Sequence, residues 1–223
     1  MAVSSSHQRA GLTLIEILIV VGIIVLLAGL LLPAIGWVRA KARQTSCTAN
    51  LAQLGAATLI YAELEGGRLP ASQHWRESRP ERSSAWFVQL PRLVSERKVS
   101  RPGTIFQCPA FDGAVPGLIR NEVPKSYKMN EDLDRVKQRG TWRHRAFFPG
   151  RLSDGNQVVL FFDGITTGGK GQWGYGGPDE VSDARHGGWV GMLMSDGRAA
   201  RSVPTPEARA GSATLRWLSA DWQ

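Results

Sequence analysis

The sequence predicts an α+β protein: one long N-terminal helix packed on a small antiparallel β-sheet head. Three observations predict it. Residues 17–38 carry no charged side chain, a run of 22 positions, and about 20 suffice to cross a bilayer as a helix. Beyond that run, Cys47, Leu51, Leu54, Thr58 and Tyr61 recur at helical spacing. Further on, short apolar runs are punctuated by Asp-Gly pairs, the pattern of strands and hairpins.

The apolar run comes first. It is longer than the core of a secretory signal peptide, roughly 7–15 residues, and the nearest small pair, Ala40 and Ala42, lies among Arg39, Lys41 and Arg43. Cleavage after the run is therefore not expected. Pro33 removes one backbone donor and kinks the helix without ending it. The amphipathic stripe continues to about Glu65, where Gly66-Gly67 and then Pro70 supply a stop. Such a helix has a first half suited to lipid or to a fibre core, and a second half suited to packing on a head.

The head follows. Residues 67–82 read as a loop. "SSAWFVQLPRLVSE" reads as a short helix with Ser83 or Ser84 as N-cap, broken or delayed by Pro91. "TIFQCPA" reads as a brief strand ended by Pro109, and "GNQVVLFFDG" as a buried strand ended by Asp163-Gly164. "ITTGGKGQWGYGGPDE" is glycine-dense and reads as a loop, without the lysine-Ser/Thr ending of a phosphate-binding loop or the strand-helix setting of a dinucleotide site. Trp189 to Met194, the Asp196-Gly197 turn and a partner strand from about Ala199 to Val203 make a hairpin.

Composition narrows the function. Of 223 residues, 43% are hydrophobic, and eight Trp and seven Phe can fill one core. The net charge is +8, but the basic residues are scattered, with no basic stripe and no zinc-finger spacing, so nucleic-acid binding is not indicated. Only four His occur (His7, His74, His144 and His186), and no motif ties a nucleophile to a base, so no enzyme is expected. The two cysteines, Cys47 and Cys108, lack a nearby partner of metal-ligand or redox-motif spacing. They fit one disulfide outside the cytoplasm or two buried free thiols, and both readings stay open.

Glu16 stands apart as a carboxylate at the edge of the apolar run, where an ionisable group is costly unless paired or close to the headgroups. The segment "HQRAGLTLIE" sets it in a basic leader, Gly11, a hydrophobic residue, Thr13, Leu14 and the glutamate. This resembles the processing site of type IV pilins and type II secretion pseudopilins. The resemblance implies a pilin-like fold and cleavage after Gly11 by a prepilin peptidase, with N-methylation of Leu12. It also implies that Glu16, fifth residue of the mature chain, pairs with the N-terminus of a neighbouring subunit, and that Pro33 is the helix-kinking proline. Leu12 departs from the Phe usual in that family. The implied organisation is a leader over 1–11, a transmembrane and assembly helix over 12–38, its amphipathic continuation over 39–65, and a head over 66–223.

His186 and Asp196-Gly197 form an H-x9-D-G pattern, and Cys108-Pro109 and Ser126-Tyr127 with Asn130 lie upstream of it. These resemble the C-terminal signature of pilin-like proteins abundant in planctomycetes. A structural hydrogen-bond pair between His186 and Asp196 is favoured over a metal held by Asp183, His186 and Asp196. No cofactor is expected. Calcium on the loop from Thr166 to Glu180, with Asp179, Glu180 and Asp183, is the one weighed, because some secretion pseudopilins bind it on a loop.

The functional expectation is a filament or pseudopilus subunit without enzymatic activity. It would be a single-pass inner-membrane protein before assembly, with its head periplasmic or extracellular. Its expected partners are the peptidase, copies of itself or other pilin-like subunits, the inner-membrane assembly machinery and the membrane. The alternative is a membrane-anchored extracytoplasmic binding module that does not polymerise. One count points the other way: only Arg9 precedes the span while Arg39, Lys41 and Arg43 follow it, which by charge bias alone orients the head to the cytoplasm. The processing motif outweighs that bias.

Overall fold

The computed structural model describes residues 13–73, 83–94, 104–111, 126–138, 141–144, 158–165, 174–182 and 185–202. The chain divides into two compact units, Met1–Lys41 and Ala42–Gln223. The second unit thus begins inside the long helix.

Helix α1 spans Leu14–Leu64 and contains Pro33. It opens on a reciprocal cap. The Thr13 amide and hydroxyl donate to Glu16 Oε2, each at 2.8 Å, while the Glu16 amide donates to Thr13 Oγ1 at 3.4 Å. "TLIE" is therefore a capping box, which satisfies backbone donors that the first turn leaves open. From Leu14 to Val38 every side chain is exposed, including Leu14, Ile17, Leu32 and Trp37. This is one helix near the N-terminus, long and apolar enough to cross a membrane.

The end of α1 is set by glycine. The Gly67 amide donates to Ala62 O at 2.7 Å and Gly66 adopts φ 64°, a left-handed closure that only glycine enters without strain. The expected stripe of Cys47, Leu51, Leu54, Thr58 and Tyr61 is buried, joined by Gly55, Ala57 and Ala62.

Helix α2 spans Trp86–Leu93 and accommodates Pro91 in its last turn. Its N-cap is Ala85, not Ser83 or Ser84; Ser83 Oγ instead accepts from the Ala85 amide at 3.1 Å. Among the described residues seven strands follow in chain order: β1 Tyr127–Asn130, β2 Arg135–Gln138, β3 Thr141–His144, β4 Val159–Asp163, β5 Tyr175–Gly176, β6 Val190–Met194 and β7 Ala199–Ser202. Strands β2 and β3 pair as a separate two-stranded sheet. The main sheet runs β5-β1-β4-β6-β7. It is mixed rather than antiparallel, because β5 runs parallel to β1. The "TIFQCPA" strand does not form: residues 104–111 make bends and turns.

Both faces of the main sheet are covered. On one face, Cys47, Leu51, Leu54, Ala57 and Tyr61 of α1 share a core with Trp86, Phe106, Tyr127, Met129, Phe161 and Leu193. On the other, Val159, Phe162, Val181, Val190, Met192 and Met194 form a second cluster. Alternation along β4 is interrupted between Val159 and Phe161, where the register against β6 shifts. The shift puts Leu160 and Phe161 both in the α1-side core, and so an apolar run replaces strict period-two patterning. Trp86 anchors α2 to this core, stacked near Phe106, edge-on to Phe161 at 5.1 Å and donating its indole N–H to Gly174 O at 2.6 Å.

Candidate functional site

A polar cluster lies within the α1-side core, built from four separate stretches of chain. Cys47 comes from α1, Cys108 from the 104–111 turn, Asp163 from the end of β4, and His186 from the turn before β6. One ligand-type atom from each, Sγ, Sγ, a carboxylate oxygen and a ring nitrogen, lies within 4.8 Å of every other. The Cys47 thiol donates to Asp163 Oδ2 at 3.0 Å. His186 Nε2 lies 3.2 Å from Asp163 Oδ2 and 3.2 Å from Cys108 Sγ. Asp163 is fully buried.

Local structure explains how each group arrives. Asn50 on α1 donates its side-chain N–H to Gln107 O at 3.0 Å, which ties the 104–111 turn to the helix one turn beyond Cys47. The Cys108 amide donates to Ser126 Oγ at 2.7 Å, and the Gly164 amide to Ser126 O at 2.9 Å. Ser126 thereby joins the turn to the β4 end. Tyr127 places its hydroxyl 3.3 Å from Cys47 Sγ. Gly187 and Gly188, at φ 63° and 93°, form the left-handed turn by which the chain leaves His186 and enters β6.

Arg185 completes the site. It donates to Asp163 Oδ1 at 3.1 Å, to Ser126 O at 3.2 Å and to Gly164 O at 2.6 Å, and its guanidinium lies 5.3 Å from the Phe111 ring centroid. Arginine thus takes one carboxylate oxygen and leaves Oδ2 to the Cys47 thiol and the imidazole.

The electrostatics follow from these contacts. The neighbouring Cys47 thiol, aided by His186, outweighs burial and lowers the Cys108 thiol to about 6. Cys47 is pushed up by Cys108, by burial and by Asp163. Burial opposes a charged His186, but its bonds to Asp163 and Cys108 prevail and raise it to about 9. Burial would likewise raise Asp163, yet His186, Arg185 and Cys47 hold it below the ordinary carboxylate value. Within the cluster, the contacts of Asp163 with Arg185 and His186 offset the cost of burying its charge. Such a set can hold a cation through four ligands or close a sulfur–sulfur bond.

Of the two readings left open for the cysteines, the structure has two buried free thiols. Other expectations change. The carboxylate beside His186 is Asp163, not Asp196. Asp196 is exposed at the hairpin, where it accepts from the Arg198 amide at 3.0 Å and pairs with the Arg198 guanidinium. Asp196-Gly197 does make the turn between β6 and β7, with Gly197 at φ 84°. Among the described residues the calcium acids form no ligand group, and Glu180 faces Lys128 Nζ at 3.6 Å. Gly11, Leu12, Asp183 and residues 166–173 of the glycine-dense segment lie outside the described residues.

Sequence reasoning missed Asp163 and Arg185 as site residues. Asp163 read as a strand terminator, and Arg185 carried no signal beyond adjacency to His186. A buried-strand pattern ending in an acid was the one available hint.

The chain matches no known family model, no curated protein and no solved structure.

Proposed function

We propose that this chain is the precursor of a filament or pseudopilus subunit, with a pilin-like fold and no enzymatic activity of its own. A prepilin peptidase cuts after Gly11, and the freed Leu12 becomes a methylated N-terminus. The precursor is held in the inner membrane by the first part of α1, with its head on the periplasmic side. Inner-membrane assembly machinery then draws it into a polymer of itself or of similar subunits.

The observation that carries this reading is the exposed apolar surface of α1 from Leu14 to Val38, which starts three residues after Gly11 and holds one carboxylate. Covering each large apolar side chain is worth about 1.5–3 kcal/mol, so lipid or neighbouring helices must take this surface. Glu16 then has two successive partners. In the precursor its carboxylate caps α1 through Thr13. In the fibre it meets the α-amino group of an adjoining subunit, and that ion pair selects the stagger between helices because an uncompensated buried charge is costly.

The test is Glu16→Ala with surface material sheared from cells and viewed by electron microscopy. Membrane insertion persists and filaments disappear. Normal filament yield from that variant overturns the reading.

A further inference from the structure

We propose that Cys47, Cys108, Asp163 and His186 bind one soft divalent cation, of the zinc class, in tetrahedral geometry. This inference does not depend on the filament reading.

The donor set fits that ion. Two thiolates and an imidazole prefer borderline-soft transition metals over calcium or magnesium. Zinc bonds of about 2.3 Å to sulfur and 2.0–2.2 Å to nitrogen and oxygen imply ligand–ligand edges of roughly 3.3–3.8 Å. The observed contacts of 3.0 Å from Cys47 Sγ to Asp163 Oδ2 and 3.2 Å from His186 Nε2 to Asp163 Oδ2 and Cys108 Sγ fall a few tenths short. A small outward movement of the side chains accommodates an ion at their centre.

The surroundings fit as well. Two thiolates and a carboxylate exceed the charge of a divalent ion by one, and the Arg185 guanidinium on Asp163 Oδ1 offsets the excess. Arg185 also fixes which carboxylate oxygen faces the centre, and Tyr127 O–H donates to Cys47 Sγ, as second-layer partners of metal ligands do. Gly191 of β6 keeps the space beside the ligands clear: a Cβ there would lie 3.3 Å from Cys47 Sγ and 3.4 Å from Asp163 Oδ2. Metal entry displaces to solvent any protons that the thiols and the imidazole nitrogen carry, with no change in oxidation state.

Cobalt(II) titration of the full chain, purified in detergent and reduced, tests this. The expected result is one equivalent bound, with thiolate-to-cobalt charge transfer and the intense visible bands of tetrahedral cobalt, both bleached by zinc. Cys108→Ser loses charge-transfer intensity and binds at least tenfold more weakly. Arg185→Gln, a change at a positioning residue, keeps the tetrahedral bands and weakens binding about 10–100-fold. Should either variant fail to fold, the wild-type titration decides alone. The proposal is overturned by cobalt spectra without tetrahedral bands. It is equally overturned if protein taken from membranes without reductant carries a Cys47–Cys108 disulfide, two hydrogens lighter, and no metal.

Discussion

Cys47 and Asp163 meet at 3.0 Å across 116 residues of sequence, the first on a helix face and the second at a strand end. Their contact joins α1 to the centre of the sheet, so packing and polar chemistry share one location. Gly191 lies against the same pair. A Cβ at Gly191 would also come within 2.6 Å of Leu51 Cδ1, and Leu51 is fully buried. Gly191→Ala is expected to cost about 1–3 kcal/mol through overpacking. Denaturant unfolding of the full chain in detergent measures it, and an unchanged midpoint would show that Leu51 can yield.

Thr13 and Glu16 separate two roles of one carboxylate. Glutamine can serve at the third position of a capping box, but it carries no charge. Glu16→Gln should therefore keep the helix start while abolishing filament assembly. Thr13→Ala should do the reverse, weakening the cap by about 1 kcal/mol and leaving assembly intact. Filament yield scored against membrane insertion for the two variants distinguishes capping from subunit pairing.

Lys128 is fully buried on β1, and its ammonium lies 3.6 Å from Glu180 Oε2. Glu180→Ala removes the carboxylate and leaves the buried ammonium, at an expected cost of about 3 kcal/mol. The double change Lys128→Met with Glu180→Gln should recover most of that loss. Thermal unfolding of the single and double variants checks the ordering.

Ser72 and Asp134 form a second buried polar contact, the serine amide and hydroxyl donating to the two carboxylate oxygens at 2.6 and 2.7 Å. Asp134→Ala leaves both donors without that acceptor and should destabilise by about 2–3 kcal/mol. Asp134→Asn retains one acceptor and should lose less, as read from unfolding midpoints of the two variants.

Sequence periodicity reached the elements whose signal is local. The stripe from Cys47 to Tyr61 is buried as its spacing requires, and the hairpin turns at Asp196-Gly197. Strand β4 stands where "VVLFFDG" put it. What local patterns could not supply was pairing. Two-residue β5 sits in a glycine-dense stretch and joins the sheet in parallel, a contact no short-range rule encodes. "TIFQCPA" has strand-like composition, but Asn50 and Ser126 hold its backbone in turns. Cys47 was legible as a helix-face residue, and His186 as a structural residue of the H-x9-D-G pattern. Their convergence on Asp163 depends on how α1 and β4 pack, and on the Arg185 fork that orients the carboxylate. Glu16 was legible as an anomaly, while its bond to Thr13 was hidden in the unremarked T-x-x-E spacing.

The central claim is that the working protein begins at Leu12. Mass spectrometry of the N-terminal peptide from membrane-derived or sheared surface material tests it most directly. The account predicts a peptide starting at Leu12 with a methylated α-amine. An N-terminus still at Met1, with the leader attached, would contradict it.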